Sequence, residues 1–523
     1  MLNHKTLNHR NIYFWALILL VFSLPLSMFG MSFSIFLLLF NWIFEGNLKT
    51  KMKILRINKS ILIFVGFMLI HLLWLINSTD LTYGLHDIKI KLPLLVLPVI
   101  VGTSEPIDRK QLNVIINFFI TAVIIGTFIS TGVLLGFGSY EITNVREISI
   151  FISHIRFGLM IDLAIFLLFY DLYLNQNRQK SYKILYKYLG LSWLIIFLFI
   201  LKSLTAIVIF FIIGTGLGLV FISRQSNLIM KYLLSIVTIM FFLVIALVLY
   251  KYYAKYSYVE KIPRYGLEKY TINGNSYNHN FEDTQLENGH FVWSYLCEKE
   301  LRSEWNRRSN LDYDLPDLKG QEIRYTIIRY LTSKGLRKDS AGLASISSEE
   351  VRRIENGMAN YIYAKRTSLY SMFYEILWQF DMFKRGENPS GHSIIQRLEY
   401  LKAGFSILKK HFWFGVGTGD VQKAFIQYYE ETNSQLAYEW RYRAHNQFLT
   451  FFLTFGVFGF LLIIFAFISP IIRERGWKNF YFTIFVIIAF LSMLNEDTLE
   501  TSAGAMFFAC FYSLFLFSIK IKT

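Results

Sequence analysis

Apolar runs of bilayer length recur along the chain, and they restrict its possible folds more than any other feature. A membrane-spanning helix needs about 20 predominantly apolar residues. Runs approaching that length lie at 12–25, 27–44, 60–77, 88–102, 112–136, 150–170, 188–201, 203–222, 232–250, 445–469, 479–495 and 502–519. The first two form one long run broken at Pro25, and the fourth and seventh are short. About twelve spans are therefore expected. Hydrocarbon offers no hydrogen bonds to the backbone, so each span must satisfy its own, as a helix does. The reading is an all-α polytopic membrane protein. Only 17% of the 523 residues are charged, against about 25% in soluble domains.

The loops between these runs sort by charge. One alternating set holds Lys5, Arg10, Lys49, Lys51, Lys53, Arg56, Lys59, Arg109, Lys110, Arg178, Lys180, Lys183, Lys187, Arg224, Lys231, Arg473, Arg475, Lys478, Lys520 and Lys522: 20 basic residues against five acids. The opposite short loops and helix ends hold five basic residues and eight acids. By the positive-inside rule the first set is cytoplasmic, and so are both termini. The first run has no small-residue cleavage site and leads directly into a second, as an anchor does and a removed signal does not. The net charge of +16 is then mostly membrane orientation and calls for no nucleic-acid partner.

This topology divides the chain into an N-terminal bundle of about nine spans (1–250), a large segment outside the cytoplasm (251–444) and a C-terminal three-span bundle (445–523). No internal repeat of the inverted-repeat transporter kind is present. The outer segment is polar but patterned. Ser347 and Glu350 fit a capping box, opening a helical pattern with Val351, Ile354, Met358 and Tyr361 on one face. A second helix is expected over about 393–411, where Ile394, Leu398, Leu401, Phe405, Leu408 and Phe412 form a one-sided stripe with Arg397 on its flank. It ends in Phe412-Trp413-Phe414, an aromatic cluster suited to the headgroup layer. No element is assigned over 254–320. Cys297 and Cys510 are expected to be free thiols.

Charges at membrane depth cost roughly 2.5–3.5 kcal/mol each on insertion scales and are functional candidates by default. Here the cations share one level, the outer ends of the spans. Lys89 and Lys91 open the fourth span, His154 and Arg156 the sixth; Lys202 sits between the seventh and eighth; Arg441, Arg443 and His445 lead into the tenth; Arg397 is on the interfacial helix. The plain alternative is snorkelling to headgroups, which weighs most for Lys89, Lys91 and Arg443. Cations gathered at that depth suit a lipid-linked diphosphate. Guanidinium forks match phosphate oxygens, cations can stabilise a diphosphate leaving group in place of a metal, and a histidine can take the proton of an acceptor hydroxyl. No metal site and no cofactor are expected.

Other features weigh less. Gly415-Val416-Gly417-Thr418-Gly419 follows no expected strand and reads as a tight turn capped by Asp420 before a helix, not as a dinucleotide loop. Asp312-Tyr313-Asp314 reads as a solvated loop. Glu496, Asp497 and Glu500 in the last outer turn either pair with the cations, orient an acceptor or face solvent. Asp162, the one acid deep in a span, is a proton relay or a bond to a neighbouring helix; His71 reads as a satisfied polar residue between helices.

From Arg397 onward the order of motifs resembles a known family. Arg397-Leu398-Glu399-Tyr400, Lys402-Ala403-Gly404, Phe414-Gly415-Val416-Gly417-Thr418-Gly419-Asp420, Ala444-His445-Asn446-Gln447-Phe448 and Phe455-Gly456-Val457-Phe458-Gly459 together are similar to the O-antigen ligase/polymerase family of bacterial envelope glycan enzymes. Ser153-His154-Ile155-Arg156-Phe157-Gly158 and Lys202-Ser203-Leu204-Thr205-Ala206 resemble its upstream segments. The usual Ser-Arg-Thr is not met there: Leu204 takes the arginine's place and leaves Lys202 as a stand-in. Ile354-Glu355-Asn356-Gly357 and Asn495-Glu496-Asp497-Thr498-Leu499-Glu500 look like a longer-loop subgroup. The resemblance implies a GT-C-like helical fold in the bacterial cytoplasmic membrane with the large loop periplasmic. It implies metal-independent, inverting transfer from an undecaprenyl-diphosphate-linked glycan to lipid A-core of lipopolysaccharide or to another acceptor. Arg156 and Arg397 would bind the diphosphate and His445 would act as base or bind the acceptor. By shared depth, Lys202, Lys89 and Arg441 join the diphosphate candidates; Glu496 and Glu500 are candidates to orient the acceptor. A repeat-unit polymerase fits as well and differs only in the acceptor. A lipid-linked glycan flippase is the reading from another class, and the large outer segment argues against it.

Overall fold

The computed structural model describes residues 9–138, 145–175, 181–262, 266–365 and 368–518. Lys5, Arg178, Lys180, Lys520 and Lys522, used above for orientation, lie outside them. The chain divides into two compact units, 1–221 with 382–523, and 222–381.

Each expected apolar run falls on a helix or helix pair, though His9–Ser23, Met28–Phe44, Leu81–Lys91, Pro93–Thr103, Phe480–Met493 and Ser502–Leu516 are each shorter than a full span. In the first unit the helices on these runs are α1 (His9–Ser23), α2 (Met28–Phe44), α4 (Lys59–Leu73), α5 (Leu81–Lys91) with α6 (Pro93–Thr103), α7 (Arg109–Leu134), α8 (His154–Asn175), α9 (Ser181–Ile200) and α10 (Leu204–Ser223). A short α3 (Leu48–Ile57) follows α2 at a bend of 108°. The break expected at Pro25 falls between α1 and α2, where Ser27 caps the new helix by accepting from the Gly30 N–H at 3.0 Å. The short fourth span is two helices because Pro93 cannot donate and starts a new one. Among the described residues, seven helices are long and apolar enough to cross a membrane unaided, or eight if the bent α2–α3 pair forms one broken span.

The second unit holds α11 (Leu228–Tyr256), α12 (Glu298–Arg308), α13 (Ile323–Ser333), α14 (Ser340–Ala344), α15 (Ser348–Glu355) and most of α16 (Leu369–Lys384). No residue of α11 is buried, as suits a helix apolar on every side with lipid as its surroundings. The polar part has its own core, in which Val292, Leu301, Trp305, Tyr313, Ile327 and Ile354 are fully buried. A hairpin pairs Leu286–Glu287 with His290–Phe291 in the stretch left unassigned from sequence. Ser347 and Glu350 form the expected capping box. Their helix stops at Glu355, short of Met358 and Tyr361, because Gly357 turns the chain at φ 72°.

The remainder of the first unit is α17 (Ser393–Lys410), α18 (Val421–Glu431), α19 (Gln447–Arg473), α20 (Phe480–Met493) and α21 (Ser502–Leu516). The last two are shorter apolar helices. The compact units therefore depart from the three-part division at 250 and 444: residues 382–444 pack with the bundle. The reason is visible on α17. Ile395, Tyr400, Ala403, Gly404 and Ile407 are buried against the bundle, whereas Leu398 and Phe405 of the expected stripe are exposed. The stripe is split: Leu408 is buried and Leu401 partly so, while Leu398 and Phe405 form an outward apolar edge with exposed Phe412, Trp413 and Phe414.

The glycine loop is a buried turn ahead of α18. Helix α19 breaks at Gly456 (φ 62°, ψ −172°), freeing backbone groups that must find partners. The loop supplies them. Val416 N–H donates to Leu453 O (2.8 Å), Gly417 N–H to Thr454 O (3.0 Å), and Val457 N–H to Phe412 O (2.9 Å). A Cβ on Gly415 would lie 2.4 Å from Thr454 O, and one on Gly419 2.0 Å from Asp80 O. Only glycine allows backbones this close. Asp420 does not cap its own helix: its carboxylate accepts from Thr79 N–H (2.7 Å), Thr79 Oγ1 (2.9 Å) and Asp80 N–H (3.0 Å). The loop is thereby pinned to the end of α4, where Trp74 Nε1–H donates to Phe414 O at 2.7 Å.

Candidate functional site

The turn between α20 and α21 gathers residues distant in sequence. Asn495 donates to Thr205 Oγ1 at the start of α10 (2.9 Å), Asn446 to Leu494 O (2.8 Å), and the Leu499 N–H to Gln447 Oε1 (2.7 Å). The starts of α8, α10, α19 and α21 and the end of α20 thus meet at one end of the bundle.

Glu496 is the hub. Its carboxylate accepts from Arg156 Nη1 at 3.0 Å on one oxygen and from Arg397 Nη2 on the other. Arg156 also donates to Asp497 O at 3.2 Å. The side chain of Glu496 is 3% exposed, that of Arg156 10% and that of Arg397 24%, so the pair opens to the surroundings on the Arg397 side. Burial acts to raise the Glu496 pKa, but His445, Arg156 and Arg397 outweigh it and hold the carboxyl down at about 2. The Nε of Arg156 is buried with no hydrogen-bond partner among the described residues.

His445 sits just before α19 with φ 48°, a left-handed conformation that costs a non-glycine residue about 1–3 kcal/mol. Asp497 holds it there, accepting from the His445 N–H at 3.1 Å and from Thr450 Oγ1 at 2.8 Å. Asn446 caps the helix through the Leu449 N–H at 2.9 Å. The imidazole lies over Tyr400 (centroids 5.4 Å apart, 24° between planes). Its Nδ1 is 3.8 Å from Glu496 Oε2, beyond hydrogen-bond reach, and has no hydrogen-bond partner among the described residues. The ring is fixed in place while this nitrogen is left without a bond.

A second group lies one turn further along. Lys91 donates to Asp87 (2.6 Å) and Glu500 (2.8 Å), and Arg443 to Glu500 (3.2 Å). Gln447 Nε2 donates to the other oxygen of Glu500 at 2.9 Å. The Lys91 side chain is 1% exposed and that of Glu500 5%. Burial opposes ionisation of Glu500, yet Lys91 and Arg443 hold its pKa well below the usual value.

Of the residues singled out from sequence, Arg156, Arg397, His445 and Glu496 come together, with Glu500 in the adjoining group. Lys202 is half-buried in the α9–α10 turn at φ 53°, in the turn that Asn495 ties to the Glu496 loop. Lys89 is exposed, and Lys91 takes the buried position instead; a lysine two residues away on one helix points to another face. Arg441 braces its own loop, donating to Leu436 O at 3.1 Å and covering Tyr438. The role of Asp497 and Thr450 in holding His445 was not legible, since neither lies near it in sequence except through the fold. Asp312 and Asp314 are exposed and bonded to Asn306 and Arg302. His71 is buried, with Nδ1 2.9 Å from Phe67 O. Asp162 is fully buried, and neither carboxylate oxygen has a hydrogen-bond partner among the described residues. Cys297 and Cys510 are buried free thiols.

A comparison with curated proteins finds no match. Within the chain, residues 356–464, about a fifth of it, which include Arg397, the glycine loop and His445, are similar to the family model described as O-antigen ligase.

Proposed function

We propose that the protein transfers a glycan from an undecaprenyl-diphosphate carrier to an acceptor hydroxyl at the outer face of the bacterial cytoplasmic membrane. The observation that carries this is the convergence of Arg156 and Arg397, 241 positions apart in sequence, on one buried carboxylate, with the His445 Nδ1 3.8 Å from it and without a hydrogen-bond partner among the described residues. Two guanidiniums that share one carboxylate retain N–H groups for the oxygens of a diphosphate. In the step itself, the acceptor oxygen attacks the anomeric carbon and its proton passes to His445. The bond from that carbon to the diphosphate oxygen breaks, and the lipid diphosphate leaves with the electron pair, stabilised by the two arginines. Attack opposite the leaving group inverts the anomeric centre. Glu496 holds the arginines in place and favours the protonated imidazole as it forms.

The envelope-glycan profile of a deletion strain tests the reading. Loss of a ligase leaves the acceptor undecorated while lipid-linked polymer accumulates. Single repeats on the acceptor would instead make the protein a repeat-unit polymerase, and a bare acceptor without lipid-linked polymer outside the cytoplasm would point to a flippase and overturn the proposal.

A further inference from the structure

The second unit contains a cavity of about 540 Å³, within the range of small-molecule sites. Its lining includes Glu268, Tyr270, Ile272 and Tyr277 on one wall, and Arg337 and Asp339 on the other. All of these precede the segment 356–464 matched by the family model.

The walls are built, not incidental. Glu300 clamps them together. One carboxylate oxygen accepts from Thr271 Oγ1 (2.5 Å) and Asn275 Nδ2 (2.8 Å), the other from Ser340 Oγ (2.6 Å) and Ser340 N–H (3.1 Å). The first wall is a tight turn closed by pairing of Tyr270 with Ser276. That fixed turn holds Tyr270 65% exposed and Ile272 89% exposed, a placement that loses apolar burial and gains nothing inside the fold. On the other wall Arg337 covers the Tyr295 ring at 4.1 Å and pairs with Glu268 at 2.5 Å, while its Nη1 is buried with no hydrogen-bond partner among the described residues. Asp339 accepts from the Tyr277 hydroxyl and from the Gly342 N–H (2.7 Å).

Aromatic and apolar surface beside carboxylate and guanidinium groups matches one ligand class closely. A pyranose ring has an apolar C–H face for an aromatic ring and hydroxyls that both donate and accept. Two carboxylates against one guanidinium disfavour an acidic sugar or a phosphate. We propose that this cavity binds a neutral saccharide residue of the glycan on which the protein acts; the identity of that glycan as substrate rests on the transfer reading above.

The test uses the full-length protein in detergent, with chitobiose, lactose and a glucuronic-acid disaccharide as probes and saturation-transfer NMR as readout. At least one neutral disaccharide should bind, and the uronic-acid probe should not. Tyr270→Ala should weaken binding about tenfold, the loss of one stacked ring, and Tyr270→Phe should stay within about twofold. Because Tyr270 is largely exposed, thermal unfolding of both variants should match the parent. Failure of both neutral probes to bind, binding of the uronic-acid probe, or wild-type binding by Tyr270→Ala overturns the proposal. Tyr270-dependent binding in a protein that transfers no glycan would leave the cavity standing and sink the transfer reading. Normal transfer with Tyr270-independent binding would do the reverse.

Discussion

Two ion groups share the turn between α20 and α21, and they are built on different terms. Around Glu500, two cations meet two carboxylates, Lys91 is almost wholly enclosed, and Gln447 takes up the remaining oxygen. Around Glu496, two guanidiniums share one carboxylate, Arg397 and His445 are partly exposed, and Arg156 Nε and His445 Nδ1 have no hydrogen-bond partner among the described residues. The first group is closed and reads as scaffold. The second keeps hydrogen-bonding capacity in hand, which costs stability and makes sense where a ligand supplies the missing partners. A buried cation by itself is therefore a poor guide to function here; what remains unsatisfied around it discriminates better.

The largest expected effect tests the open group. His445→Ala should leave donor binding nearly intact and lower transfer by about 10²–10⁴, the usual contribution of a general base. His445→Gln keeps hydrogen bonding but cannot take up a proton near neutral pH. Near-normal transfer by that variant with lipid-linked donor would end the base assignment and leave His445 as an anchor for α19. In the closed group, Lys91→Ala leaves the buried Asp87 without its cation and Glu500 with Arg443 alone, and should cost about 3–5 kcal/mol, read as a lower unfolding temperature in detergent. If Lys91→Ala unfolds no earlier than Arg397→Ala, the contrast between scaffold and site fails.

Arg397→Ala should remove a charge-assisted contact worth about 1.5–3 kcal/mol, seen as weaker donor binding. Arg397→Lys should recover only part, because a lysine cannot reproduce the fork. Acid should act on the same group. The carboxyl of Glu496 falls from 4.5 to about 2 on folding, so its stabilisation is complete above pH 4.5 and is lost as pH falls toward 2. Glu496→Gln should flatten the unfolding-temperature profile across that interval and lower the plateau above it, where the carboxylate's stabilisation is complete; an unaltered acid limb would show that the carboxylate contributes nothing. The smallest effect belongs to Lys89. An exposed Lys89→Ala should change stability by less than about 0.5 kcal/mol and donor binding by less than about twofold, and a larger loss of binding would return it to the site.

Much of this was open to reading in the linear chain. Apolar run length placed a helix at each expected run, because an apolar segment in a bilayer must satisfy its own backbone; it did not fix the number of spans, since several of those helices are shorter than a bilayer requires. Pro25 announced a break, and the Ser347–Glu350 spacing announced a cap, because these act through local backbone chemistry; the stop at Gly357 was missed, since the apolar spacing runs past it to Met358 and Tyr361. Arg156, Arg397 and His445 were legible as cations at one depth, and Glu496 as an acid at the same level. Other features depended on distant partners. Lys89 and Lys91 have equal claims in sequence, and only the rotation of α5 against the α20–α21 turn gives the buried position to Lys91. The glycine loop's pattern is visible from residue 415 to 419, but its reason is the break at Gly456, whose freed carbonyls the loop satisfies. Which way the stripe of α17 faces was not fixed by sequence, because in a membrane an apolar stripe suits lipid as well as protein, so hydrophobicity no longer marks the interior. Periodicity, charge and caps act within a few residues or through the solvent, and the sequence determined what they govern. Which cation meets which carboxylate, and which nitrogen is left without a partner, depends on how helices hundreds of residues apart pack, and the tertiary structure alone decided it.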